Sequence, residues 1–428
     1  MKKIVGLILL VFLSFGVRAS HIMGGEITWE CIKDPLNPDV GKYIFTMKLY
    51  RDCDGISLPT NNQTLNVWNH PTVSTISLQF ISNTDISPDC DVTNSGNPAL
   101  DCSTNPVGAV EEYIYQSLPI ALVGAPPISN PPTPTTHGWH FTWDSCCRNG
   151  AIVNLATPSS DGFTMRASMF AYIDPFGNPT PTDPCFDSSP IFNESPKTII
   201  CTGYPFSYTH NASDQEMDSL VYSWDEPLDD FFGAYNPPVT PGLLTYTPPY
   251  TANNPLPGNP TLNTQNGQIS YTSNLSGNFV TVVRVDAYKC DQLVAQIYRE
   301  IQAVLIACPP LAGGNANLPP NIPAPFPAPT PYYTSVAAGT LVSFNISASD
   351  ADLYAAGVPQ DVSLEITGGQ MAGDFITTTD CVSPPCATFT DNFGNPPPFS
   401  SPSIVNGIFE WQTACTHIAS DAGCGNVS

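Results

Sequence analysis

Proline and glycine set the first limit on what this chain can fold into. Pro stands at 46 and Gly at 30 of 428 positions, spread so evenly that almost no window of helical length is free of them. A Pro inside a helix removes one hydrogen bond and clashes with the preceding turn. Between these breakers run short stretches of β-branched and aromatic residues bounded by Asn, Asp, Ser, Gly and Pro, the pattern of strands and turns. The chain is therefore predicted to be all-β. The clearest strands are 74–82, 138–145, 163–173, 278–288 and 293–306. In the third of these, Phe163, Met165, Ala167, Met169 and Ala171 recur at period two, which predicts a strand with one buried and one solvated face.

The start of the chain reads as an export signal over 1–19. Lys2 and Lys3 precede an apolar run from Ile4 to Val17, and Val17 and Ala19 supply the small residues of a cleavage site. No later segment has the length and hydropathy of a transmembrane helix. Asp and Glu number 37 against 13 Lys and Arg, for a net charge of −24, and Lys2, Lys3 and Arg18 lie in the signal. Such a surface repels nucleic acid, keeps a large chain soluble and attracts divalent cations. Fourteen Cys in an exported chain predict disulfides. Cys90 with Cys102, Cys185 with Cys201, Cys290 with Cys308, Cys381 with Cys386, and Cys415 with Cys424 are near enough in sequence to be candidate pairs, although sequence alone leaves connectivity open. Cys146 and Cys147 are expected to reach different partners, because neighbouring side chains in extended backbone point to opposite faces.

Length, at about 150 residues per domain, suggests two to four domains. Residues 20–195 are expected to form an N-terminal β domain, either one jelly roll or two smaller sandwiches. Residues 196–308 are expected to form a β-sandwich closed by the 278–288 and 293–306 hairpin, whose link is the polar turn Lys289 to Gln292. A stiff Pro-rich linker follows over 309–331. A second sandwich then occupies 332–428, since 206–227 and 342–368 match in register, as do 267–285 and 407–428. In the last copy the closing hairpin is not reached by Ser428, so that sandwich is expected to be incomplete.

The opening SHIMGGEITWECI, the following YIFTMKLYRDCDG, the DSCCRNG at 144–150 and the tandem SDxxxDxLxYxW and GxIxYT elements resemble the N-terminal regions of very large cell-surface proteins of gliding Bacteroidetes-type bacteria. The resemblance implies tandem Ig-like, PKD-like or cadherin-like modules, type IX secretion, gliding-motility-associated adhesion, and a place at the cell surface.

Asp214, Glu216 and Asp218, followed by Asp225, Glu226, Asp229 and Asp230, put carboxylates two residues apart on a loop, which suits a calcium site. Asp350, Asp352 and Asp361 stand at the equivalent point of the second copy. The competing reading is turn chemistry on a solvated face. His137 and His140 flank Trp139, where structural His beside a core Trp is the simpler reading. No Gly-x-Ser-x-Gly, His-Glu-x-x-His or phosphate loop occurs in the sequence. The expected function is structural and adhesive rather than enzymatic, with extracellular surfaces, polysaccharide or other cell-surface proteins as partners and Ca2+ as the one expected ion. The alternative is a carbohydrate-binding or polysaccharide-degrading protein whose Trp68, Trp139 and Trp143 form a sugar-stacking platform.

Overall fold

The computed structural model describes residues 22–87, 100–106, 108–174, 176–180, 185–307, 318–327, 332, 334–354, 357–379, 381 and 383–417. The signal segment 1–19 and Cys90, Cys308 and Cys424 lie outside the described residues. The chain is all-β: among the described residues there is no α-helix, only a short 3-10 turn at Cys415–His417.

The first seven strands are β1 (Ile22–Cys31), β2 (Tyr43–Asp52), β3 (Gln63–Trp68), β4 (Thr75–Asp85), β5 (Val110–Ser117), β6 (Trp139–Ser145) and β7 (Phe163–Met169). Short strands β8 (Tyr172–Ile173), β9 (Pro179–Thr180), β10 (Ile191–Phe192), β11 (Ile199–Cys201), β12 (Pro205–Thr209) and β13 (Ala212–Ser213) lead to β14 (Ser219–Trp224). After β15 (Thr261–Leu262) and β16 (Gln268–Thr272) comes the long hairpin of β17 (Gly277–Lys289) and β18 (Gln292–Ile306). Cys290 and Asp291 both have positive φ, 50° and 62°. This is the two-residue turn whose twist matches that of the flanking strands.

Hydrogen bonding runs β1-β2-β5-β4-β3-β6-β7-β18 and returns from β18 to β1, so eight strands form a closed circuit. Strand β18 makes the closure. One of its edges pairs with β17 along its length. Its other edge meets β7 at Ala295 to Ile297, β1 at Arg299 to Ile301, and β11, in parallel, at Val304 to Ile306. The two-domain expectation for 20–195 and 196–308 is corrected here. Strands on both sides of residue 195 share one sheet, and one apolar core runs from Ile22 to Leu305, with Trp29, Phe45 and Phe141 rings in mutual contact. The repeat pattern marked similar local strands, but β1 and β7 need β18 to satisfy their free edges.

The two glycines of the opening block have a packing reason. A Cβ on Gly24 would lie 1.9 Å from the Glu300 carbonyl oxygen, and one on Gly25 would lie 2.5 Å from the Lys48 carbonyl oxygen and 2.2 Å from Met165 Sδ. Gly24 also has φ 154°. Strand β7 departs from its expected half-exposure, with both faces buried. Phe163, Met165, Ala167 and Met169 enter the core. Its other face is covered by the excursion after β14: Thr164 Oγ1 donates to the Asp229 carbonyl, Arg166 pairs with Asp225, and Tyr235 packs on His140, which bonds Ser168.

Residues 334–417 hold a smaller unit with its own core. Strands β19 (Leu341–Ser349), β20 (Asp361–Leu364), β21 (Thr388–Thr390), β22 (Phe399–Pro402) and β23 (Ile404–Gln412) form the sheets β19-β23-β21 and β20-β22. They enclose Ala348, Val362, Leu364, Phe389, Phe399 and Val405.

The disulfides follow space rather than sequence proximity. Cys185 bonds Cys31, not Cys201, because the 185–190 segment lies along β1, where Trp29 N donates to Ser189 Oγ and Cys31 N to Ser188 Oγ. Cys102 bonds Cys53, not Cys90. Cys146 and Cys147 bond each other, contrary to expectation. Extended backbone has ended at Ser145, and Cys147 takes φ 76°, which removes the opposite-face rule. Cys381 and Cys386 are bonded, as the short spacing suggested. Cys201 and Cys290 each take part in a disulfide as well. Cys415 is an exposed free thiol, and the suggested partner Cys424 lies outside the described residues.

Two outcomes are expected from this closure. Residues 20–195 alone do not give a cooperative melt, whereas 20–307 unfolds in a single transition by circular dichroism. Gly24→Ala lowers stability by about 3 kcal/mol, the upper end for overpacking, read as a reduced urea midpoint.

Candidate functional site

The most unusual chemistry is a buried ionic cluster at the turn end of β17. Asp214, Glu216 and Asp218 occupy the link between β13 and β14, which curls because Met217 has φ 61° and because Asp214 Oδ1 accepts the backbone N–H groups of Glu216 (2.9 Å) and Asp218 (3.0 Å). The structure thus brings the three predicted carboxylates together, and it adds two residues that the sequence reading missed. Asp187 enters from the 185–190 segment. Lys289 enters from the last position of β17, placing Nζ 2.7 Å from Asp218 Oδ1 and 3.3 Å from Asp187 Oδ1. Lys33 meets Glu216 from the solvent side at 2.5 Å, and Ser188 donates its N–H and hydroxyl to the same carboxylate.

Burial dominates the electrostatics. Asp187 and Asp214 are 5% and 6% exposed. Neither Asp187 oxygen has a hydrogen-bond partner, nor does Oδ2 of Asp214 or Asp218. Desolvation holds the Asp187 proton affinity well above the carboxylate range despite the opposing pull of Lys289. Desolvation, with Asp218 and Glu216 adding to it, pushes Asp214 up to about 7, and burial also raises Asp218. Burial works against the charge on Lys289, but Asp187, Asp218 and Asp214 outweigh it and hold its proton more tightly than usual.

This arrangement puts an ammonium among the carboxylates, where a calcium ion was expected. Among the described residues, no group of three or more His, Cys, Asp or Glu is placed to hold a metal ion. Asp350, Asp352 and Asp361 do not converge either. Asp350 Oδ1 accepts the Asp352 N–H, Asp352 Oδ2 accepts the Leu318 N–H, and Asp361 is an exposed residue at the start of β20. These are turn and strand-end roles. Asp225 likewise serves an ion-pair network, bridging Arg166 and Arg284 at 2.8 and 2.7 Å while the Arg166 guanidinium sits 4.1 Å from the Tyr298 ring centre.

Two further buried pairs were invisible in sequence. Arg299 is fully buried, bonds Glu26 and lies over the Phe192 ring. Arg148, from DSCCRNG, bonds Glu300 and donates to the Gly162 and Leu228 carbonyls. The His140 ring is also structural, bonded to Ser168 Oγ and the His137 carbonyl, and burial lowers its pKa to about 4.

The proposed sugar platform is divided. Trp139 is in the core. Trp143 is half-buried against Phe163. Trp68 is half-buried, donates Nε1 to Thr142, and packs with Phe231 and Tyr235, beside which Phe232 is 98% exposed. Among the described residues no helix is long and apolar enough to cross a membrane.

The cluster makes a pH prediction with a definite sign. A carboxyl whose folded pKa is raised stabilises the fold most below its unfolded pKa, and that stability is lost as pH rises through the folded value. The Asp214 contribution therefore falls between about pH 4 and about 7, and Asp214→Asn flattens the melting temperature across that window. Glu26→Gln, which leaves the Arg299 charge unpaired, costs about 3–5 kcal/mol by chemical denaturation.

No family model matches the chain, and no curated protein or solved structure is significantly similar to it.

Proposed function

We propose that this chain is part of a secreted cell-surface protein whose role is structural and adhesive. The observation that carries the reading is how firmly the ends of the 22–306 unit are joined. Strand β1 is held between β2 and β18, the Glu26–Arg299 pair spans 273 positions, Arg148–Glu300 spans 152, and the Cys31–Cys185 disulfide spans 154. A strand hydrogen-bonded on both edges and tied by a disulfide resists pulling along its length, because its bonds must break together. Disulfides also suit an extracellular setting. The resemblance of the opening block and DSCCRNG to large surface proteins of gliding bacteria points the same way, with tandem Ig-like or cadherin-like modules and type IX secretion as the corresponding expectations.

A second reading, carbohydrate binding, is favoured by the Trp68, Phe231 and Phe232 group, since an exposed ring beside half-buried ones offers a stacking surface for a sugar face. Cells lacking the protein are expected to lose attachment to polysaccharide-coated and protein-coated surfaces alike, and purified chain in solution to compete for attachment. Unchanged attachment would sink the adhesive reading. Retention of the purified chain on polysaccharide alone, lost in Phe232→Ala and Trp68→Ala, would instead establish the second.

A further inference from the structure

The ammonium of Lys289 and the carboxyl of Asp187 form an odd salt bridge. Their separation is 3.3 Å, yet neither Asp187 oxygen makes a hydrogen bond, and the side chains are 13% and 7% exposed. The Phe186 ring centre lies 5.5 Å from Nζ, so the amine is partly enclosed by apolar surface. In such surroundings a buried pair of charges is costly to keep, and an amide in its place carries none. A second carboxylate, Asp218, accepts a proper hydrogen bond from the same amine at 2.7 Å. One acid placed to hold a proton and another placed to accept one from nitrogen, both within contact of that nitrogen, are the parts needed for amide formation.

From this geometry we infer that Lys289 and Asp187 condense spontaneously to an intramolecular isopeptide bond, with Asp218 as the base. Lys289 passes one proton to the Asp218 carboxylate, and its free amine attacks Cγ of the protonated Asp187. The Nζ–Cγ bond forms and the Cγ–OH bond breaks. Of the two protons shed by nitrogen, one leaves with the hydroxyl as water and one remains on Asp218, so charge and atoms balance without any co-reactant. Lys289 Nζ lies 3.3 Å from Asp187 Oδ1, and two groups held in contact gain the rate advantage of an intramolecular reaction. Asp214 and Glu216 complete the enclosure: Asp214 fixes the backbone N–H of Asp218, and Glu216 is occupied by Lys33 and Ser188, while Asp187 and Asp218 are the carboxylates in direct contact with the amine. The product ties the end of β17 to the segment that runs along β1, and the step removes the buried charge of Lys289 while leaving Asp218 protonated.

The test is mass spectrometry of the folded mature chain, with folding checked by a cooperative melt and the disulfides fully reduced before analysis. The expected intact mass is one water below that of the linear, reduced chain, and digestion yields a branched peptide joining the Lys289 and Asp187 segments. Lys289→Arg, which keeps the charge, and Asp187→Ala each restore the full mass and remove the branch. A folded wild-type chain with full mass, whose Lys289 reacts with an amine reagent after denaturation, would overturn the inference. A branch at Asp218 would overturn the assignment of Asp187 as electrophile. The adhesive reading does not depend on the bond and stands or falls by its own experiment.

Discussion

Successive residues of one strand carry the two ionic contacts around which the larger unit is organised. Arg299 and Glu300 point to opposite faces of β18, and each finds its partner in a distant segment, Glu26 on β1 and Arg148 after β6. A lone charge at either place would be costly to bury, so each pair is tolerated only when both segments are docked. The apolar core alone would accept several placements of flat, alternating strands. The ion pairs and their extra donors to the Gly162, Leu228 and Glu194 carbonyls tie β1, β6 and β18 to one register.

Much of the strand content was legible from the chain. Each of the five strands read from alternation and turn residues has a counterpart, and the β17 and β18 hairpin falls where the polar turn at Cys290 and Asp291 placed it. The boundary near residue 195 was not legible. It rested on similarity between strand-and-loop segments, and local similarity says nothing about which strand supplies the missing neighbour of β1. The disulfide pairs failed for a related reason. Cys31 and Cys185 are brought together by the Ser188 and Ser189 contacts to β1, and nothing in their spacing encodes that.

The candidate site was half legible. The curled acidic link of Asp214, Glu216 and Asp218 could be read as a concentration of carboxylates, but its counter-charge could not, because Lys289 stands 71 positions from Asp218. Spacing of acids on a loop reports the turn they stabilise as readily as any ion they hold. Arg148 is buried, and nothing in DSCCRNG itself marks it so. Its role depends on Glu300, 152 residues later.

The position of β18 also imposes an order of events. A chain made from its N-terminus has β1 to β7 in place long before their shared neighbour exists, so β1 and β7 each keep a bare edge until residue 306 has followed. Contacts this far apart in sequence form slowly, and open strand edges invite pairing with other molecules in the interval. Kinetically, the unit behaves as a ring with a late clasp: its most vulnerable moment comes during synthesis, and its stability arrives all at once at the end.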